Sequence, residues 1–208
     1  MSALRIVIID YGVGNTHSVS NAIKYLGYHK LVVSDKKEQI ENADVLILPG
    51  VGAFDEAMRN LKSRNLHLLL NEIVLVRKKP ILGICVGMQM LATCSEENGL
   101  NEGLNWIEGN VKKLQLPEEF IVPHVGWNDV SFLKGASLFS RNSNSDNFYF
   151  DHSYWFDCDE KYISAWCDYG IKVTAAVQRE NIFGVQFHPE KSQTSGLKLF
   201  RSFFNSIS

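Results

Sequence analysis

The sequence predicts an α/β protein with a central, mostly parallel sheet flanked by helices and with antiparallel strands in its C-terminal half. Three observations carry this. Short apolar runs alternate with helix-period segments through the first half, and several of those runs end in a glycine-containing turn. Beyond Gly103 the pattern changes to short apolar and aromatic runs parted by glycine and polar turns, as expected of antiparallel strands.

In chain order, Leu4 to Ile9 is a continuous apolar strand, and Thr16 to Leu26 reads as a helix stopped by Gly27. Leu31 to Ser34 is the second strand and Val45 to Leu48 the third. Helix-like stretches follow at Ala53 to Leu61 and Leu66 to Lys78, then a strand at Ile81 to Ile84. Parallel strands wound by helices put their functional loops at the strands' C-terminal ends, so the turns after Ile9, Leu48 and Ile84 can converge. The antiparallel candidates are Trp106 to Leu116, Phe148 to Phe156, Ile163 to Trp166 and Val173 to Val177. Ser140 to Asn147 is the most loop-like stretch. Thr194 to Ile207 returns to helix, with Leu197, Phe200, Phe204 and Ile207 on one face.

The 208 residues, 45% of them hydrophobic, suffice for one core, and one domain over 1–208 is expected. A net charge of −2 gives no basic field for nucleic acid or an anionic membrane. Met1 to Asp10 reads as a short strand ending at an acid, not as a signal peptide, and no apolar run approaches a membrane span. A cytoplasmic protein is expected. Cys85, Cys94, Cys158 and Cys167 are scattered without a C-x-x-C pair, so reduced thiols and no metal site are expected. Cys94 is placed on the helix after Cys85 as a core residue; Cys158 and Cys167 are placed near the surface without a role.

Gly83-Ile84-Cys85-Val86-Gly87 is the most informative segment. A cysteine between small residues, at a strand-to-helix turn, is the thiol form of the nucleophile elbow, where a helix N-terminus favours a thiolate. A buried junction cysteine is the competing reading of the pentapeptide alone. Phe187-His188-Pro189-Glu190-Lys191 supplies partners: in an extended segment His188 and Glu190 face one side, as base and orienting acid. Pro49-Gly50-Val51-Gly52 ends an apolar strand, and its glycines permit N–H groups to be aimed into a site. Gly50, Val51, Gly52 and Val86, which follows the cysteine, are the oxyanion candidates. Gly12-Val13-Gly14-Asn15 lacks a full G-x-G-x-x-G, since His17 interrupts it, and a dinucleotide reading is set aside.

These three motifs together resemble the class I glutamine amidotransferases, and among them the glutaminase subunits of imidazole glycerol phosphate synthase, over essentially the whole chain. Asp10-Tyr11-Gly12-Val13-Gly14-Asn15, Pro123-His124-Val125-Gly126-Trp127-Asn128, His152-Ser153-Tyr154 and Lys191-Ser192-Gln193 sharpen the likeness. The resemblance implies a flavodoxin-like class I amidotransferase fold without a cofactor. It implies a Cys85, His188, Glu190 triad that hydrolyses L-glutamine to glutamate and ammonia. Gln89, Glu97, His152, Ser153 and Tyr154 would bind the substrate, Ser153 and Tyr154 through main-chain groups. Asn15, Pro123, His124, Trp127, Asn128 and Lys191 would face a (β/α)₈ cyclase subunit in a heterodimer. The ammonia would pass to that partner, which combines it with a phosphoribulosyl-formimino aminoimidazole carboxamide nucleotide in histidine biosynthesis. Asp151 stands where an apolar residue is expected. A paralogous glutaminase for surface-sugar amidination, a free-standing cysteine hydrolase and a non-catalytic docking subunit are the alternatives.

Overall fold

The computed structural model describes residues 4–133, 138–139 and 145–207. Its elements begin with β1 (Ile6–Ile9), α1 (Thr16–Tyr25), β2 (Leu31–Ser34), α2 (Lys37–Asn42), β3 (Val45–Gly50), α3 (Phe54–Ser63), α4 (Leu66–Leu70) and β4 (Ile81–Cys85), in the predicted order except for α2, which the sequence does not mark. Gly27, at φ +90°, ends α1 and returns its N–H to the Lys24 carbonyl, a left-handed stop that glycine adopts without steric cost. β1, β3 and β4 are buried along their whole length, as strands covered on both faces must be.

The second half contains α5 (Val86–Gln89), β5 (Cys94–Ser95), β6 (Asn101–Glu102), β7 (Gly109–Lys113), β8 (His124–Phe132), β9 (Ser145–His152), β10 (Tyr154–Cys158), β11 (Ile163–Asp168), β12 (Lys172–Arg179), β13 (Ile182–Val185) and α6 (Gln193–Ser206). Among the described residues the larger sheet runs β2-β1-β3-β4-β13-β12-β11-β8-β9. Its β2 to β13 part is parallel, and the ladders from β13 to β9 are antiparallel. A smaller sheet, β10-β7-β5-β6, joins β10 to β7 antiparallel and β5 to β7 parallel. Because β13 pairs with β4 in parallel, Val185 sits beside Ile84, and the chain leaving β13 emerges next to Cys85.

Several expectations need correction. The helix read over Leu66 to Lys78 is α only to Leu70 and continues as a π-helix over Asn71–Val76. The Val74 carbonyl, which a continued α-helix would pair with the Lys78 N–H, accepts instead from Asn181 Nδ2 at 2.9 Å. The run Phe148 to Phe156 is two strands in different sheets, β9 and β10, parted at Ser153. Of the loop read at Ser140 to Asn147, positions 140–144 lie outside the described residues, while 145–147 open β9. The helix after Cys85 is one turn, and Cys94 belongs to β5, half-buried; Cys167 is fully buried. In α6 the buried face is Gly196, Leu199, Phe200, Phe203 and Phe204. Phe200 and Phe204 lie on it as expected, whereas Leu197 does not; Gly196 lies so close to the Pro189 carbonyl that a Cβ would collide with it.

The packing of β3 on the β4–α5 turn is equally tight: a Cβ on Gly87 would collide with the Leu48 carbonyl. Gly87→Ala should therefore destabilise the fold by about 1–3 kcal/mol, the usual cost of overpacking. Urea unfolding measures it; a change under about 0.5 kcal/mol, the size of a neutral surface substitution, would contradict this packing.

Candidate active site

Cys85 closes β4 at φ +55°, ψ −113°, a conformation that side-chain-bearing residues adopt only under strain. The strain is held by the turn's neighbours. Gly50 is paired with Cys85 across β3 and β4 and lies against Gly87 and Val86, where a Cβ would come within 2.6 Å of the Gly87 nitrogen. Tyr11, fully buried, donates its hydroxyl to the Pro49 carbonyl at 2.6 Å and so fixes the end of β3. Burial first, then the neighbouring Cys85, pushes the Tyr11 phenol well above its ordinary range, so it stays a neutral donor.

His188 leaves β13 with its N–H on the Tyr149 carbonyl of β9 at 2.8 Å and its carbonyl accepting from Ser192 Oγ at 2.6 Å. Ser192 Oγ also accepts from the Tyr149 N–H at 3.0 Å. The imidazole Nδ1 meets Glu190 Oε1 at 2.8 Å, with side chains only 3% and 1% exposed, and Cys85 is the ring's other polar neighbour. Glu190 reaches it from a 3₁₀ turn over Pro189–Lys191, not from the extended segment expected. Burial alone would lower the His188 pKa. The hydrogen bonds to Cys85 and Glu190 and their charges overcome it and raise the pKa to about 10.

A cavity of about 550 Å³ opens over these groups, lined by Asn15, Val51, Gly52, Cys85, Val86, Gln89, Glu97, Pro123, Asp151, His152, Ser153, Tyr154, His188 and Lys191. Most of the residues singled out in the sequence therefore meet in one place. Gln89, for which an exposed helix position is the bland alternative, is buried and donates to the Tyr154 carbonyl at 2.9 Å and to Gln186 Oε1 at 3.0 Å. Glu97 Oε2 accepts from the Phe54 N–H at 2.8 Å, and burial raises its pKa.

Gly50, His124, Trp127 and Asn128 do not line the cavity. Trp127 is 46% exposed and edge-on to Tyr149, whereas His124, expected on a docking face, is 2% exposed, stacked between Phe150 and Tyr169. Of the Tyr154 main-chain groups, expected to bind substrate, the carbonyl is filled by Gln89 and by His152 Nδ1 at 2.8 Å. Tyr11, Gln186 and Ser192 were not singled out as site residues in the sequence. Gln186 is fully buried, with Nε2 3.8 Å from Cys85 Sγ. Its place two residues before His188, at the end of an apolar strand, is the only signal that could have marked it. The arrangement of a strained thiol, a charged imidazole and a buried carboxylate beneath a cavity can perform acyl transfer through a cysteine thioester.

The fold and this site define a class I glutamine amidotransferase, and the chain belongs to that family: the glutamine amidotransferase class-I model matches residues 7–207. It is 51% identical over 204 residues to imidazole glycerol phosphate synthase subunit HisH 2 of Vibrio vulnificus, covering 98% of this chain and 95% of that protein. It is 47% identical to subunit HisH 2 of Pseudomonas aeruginosa, covering 97% and 100% of the two chains. Subunit HisH 1 of Campylobacter jejuni is 45% identical, with 95% and 98% covered. Among solved structures the fold matches a glutamine amidotransferase at TM-score 0.75 and 20% identity, covering 97% and 98%, and a PurLQS chain from Thermotoga maritima at 0.72 and 18%, covering 99% and 100%. Among the described residues no helix is long and apolar enough to cross a membrane.

With its pKa raised to about 10, His188 should remain an imidazolium through neutral pH and lose its proton only as pH rises through that value. Replacing Glu190 by Gln removes one of the groups that raise it, so the imidazole should titrate lower. Imidazole ¹⁵N NMR of both proteins measures this, and an unchanged His188 titration in the variant would refute the coupling.

Proposed function

We propose that the chain is the glutaminase subunit of an imidazole glycerol phosphate synthase. The observation that carries this is the buried Cys85–His188–Glu190 line beneath a cavity, in a chain about half identical to subunits of that name. In this reading the Cys85 thiol proton has passed to His188, and Sγ attacks the side-chain amide carbon of L-glutamine. The oxyanion takes N–H groups from the Gly50-Val51-Gly52 segment and from Val86. The C–N bond breaks as His188 delivers a proton to the leaving ammonia, leaving a thioester. His188 then takes a proton from water, whose oxygen attacks the thioester carbon; the C–S bond breaks, that proton is shared between His188 and the freed Sγ, and glutamate departs. Glu190 keeps the imidazole oriented. Gln89, Glu97, His152, Ser153 and Tyr154 shape the glutamine pocket. No cofactor or metal enters the scheme.

The partner in this reading is a (β/α)₈ cyclase subunit, and the pair works as a heterodimer in the cytoplasm within histidine biosynthesis. Pro123, Val125 and Trp127 alternate along one side of the chain at β8, all exposed, and Pro123, Asn15 and Lys191 also line the cavity. A docking surface there would cover the exit that ammonia needs, and an exposed Trp beside other apolar groups suits an interface anchor. The numerals in the relatives' names, HisH 1 and HisH 2, are compatible with a paralogue feeding another acceptor. Identification of the co-purifying subunit separates the two.

Cys85→Ala should abolish glutamine hydrolysis while the complex still makes product from added ammonium at alkaline pH, because only ammonia generation needs the thiol. Retained glutaminase turnover would sink the assignment. Glutamine turnover should also be compared for the chain alone, with the cyclase, and with cyclase plus acceptor analogue. Val51 lies between Gly50 and Gly52, the latter at φ +86°, so a peptide flip there is sterically open. A missing oxyanion donor costs about 10²–10³-fold. The isolated chain should therefore be slow and docking should accelerate it; equal rates in all three conditions would favour a free-standing hydrolase.

A further inference from the structure

A second polar line runs through the protein beside the Cys85–His188–Glu190 group. The Tyr154 carbonyl can only accept, so the 2.8 Å contact fixes the His152 proton on Nδ1. His152 Nε2 must then accept, and its partner at 3.1 Å, His124 Nδ1, must donate. That leaves His124 Nε2 as an acceptor, met by Asn128 Nδ2 at 3.4 Å. On the other side the Tyr154 carbonyl also takes Gln89 Nε2, Gln89 donates to Gln186, and Gln186 Nε2 points at Cys85 Sγ. From Asn128 to the Tyr154 carbonyl the donors run in one direction, without a choice of tautomer at either histidine; there the carbonyl accepts from both sides, from His152 Nδ1 and from Gln89 Nε2. Neither ring has room to turn: His124 is stacked on Tyr169 at 3.9 Å and on Phe150 at 4.6 Å, and both histidines are buried. Burial lowers the His124 pKa to about 4 and that of His152 to about 3. A proton added to either ring would set two donors against each other.

We propose that His124 and His152, each held as the Nδ1–H tautomer, are positioning residues for the glutamine pocket, linking Asn128 on the Trp127 strand to the Tyr154 carbonyl, Gln89, Gln186 and the Cys85 thiol. The inference rests on the glutaminase reading. Phe at position 124 keeps the aromatic stack and removes both polar links; Asn there keeps a donor where Nδ1 stands. Alkylation of Cys85 by a chloroketone analogue of glutamine should be compared with alkylation by iodoacetamide, which needs the thiol but no pocket. His124→Phe should slow the analogue about tenfold relative to iodoacetamide, the scale of one buried hydrogen bond, and His124→Asn should recover most of the loss. Equal slowing of both reagents, or no recovery in His124→Asn, would overturn the proposal. Imidazole ¹⁵N NMR of the unsubstituted chain tests it without any variant: both histidines should show Nδ1–H, and an Nε2–H tautomer at His152 would reject it. Failure of the analogue to label Cys85 in the unsubstituted chain would instead count against the glutaminase reading, leaving the tautomer measurement to decide the relay.

Discussion

The site depends on how closely two strand ends approach each other. Cys85 can hold a positive φ because β3 and β4 converge on a turn with no room for side chains at Gly50 or Gly87. Backbone strain of this kind costs on the order of 1–3 kcal/mol and persists only where surrounding structure over-determines it. Here the determination comes from buried parallel ladders on both sides of β4 and from the Tyr11 hydroxyl on the Pro49 carbonyl. The thiol is thus lifted out of the sheet by packing. The following helix contributes little to this, since Val86–Gln89 is a single turn with few aligned peptides.

Three buried histidines show that burial alone does not set charge. His188, His124 and His152 are all nearly excluded from solvent, yet the first is pushed up and the other two down. The difference is partnership. His188 lies between a thiol and a carboxylate that reward a positive ring, while His124 and His152 face each other, an amide and a carbonyl. One cavity wall is therefore built around charge and the adjoining wall around neutral, directional hydrogen bonds. Charge on His188 also lowers the His152 pKa, so the charged wall helps to keep the adjoining one neutral.

The parts of this arrangement legible in the sequence are those whose chemistry is local. The elbow glycines flank Cys85, and His188 and Glu190 are two residues apart, so both were readable together with the alternating strands and helices. Glu190 meets His188 through a different geometry from the extended one expected, because the Pro189 turn is 3₁₀ and brings the carboxylate back onto Nδ1. Tyr11, Gln186 and Ser192 were not legible as site residues. Each acts through a long-range contact, and their spacing to Pro49, Cys85 and Tyr149 is set only when the strands pair. The α6 face was legible at Phe200 and Phe204 but not at Leu197, for a related reason: apolar periodicity fits more than one rotation, and the Gly196–Pro189 approach selects one. The break at Ser153 was hidden because aromatic residues continue across it while the chain changes sheets.

The division between a fixed floor and an open rim bears on how such a site could be controlled. Cys85, His188 and Gln89 are buried and tied to strand ends, so moving them would break backbone and side-chain hydrogen bonds together. Val51 and Gly52 are exposed at the cavity edge. Reorienting one peptide there requires no change in the core, yet one oxyanion donor is worth about 10²–10³ in rate. In the proposed glutaminase the cheapest control therefore acts on the Val51–Gly52 segment and leaves Cys85 in place. In that reading a docking partner exerts it at the cavity rim, which Pro123 shares with Val51 and Gly52.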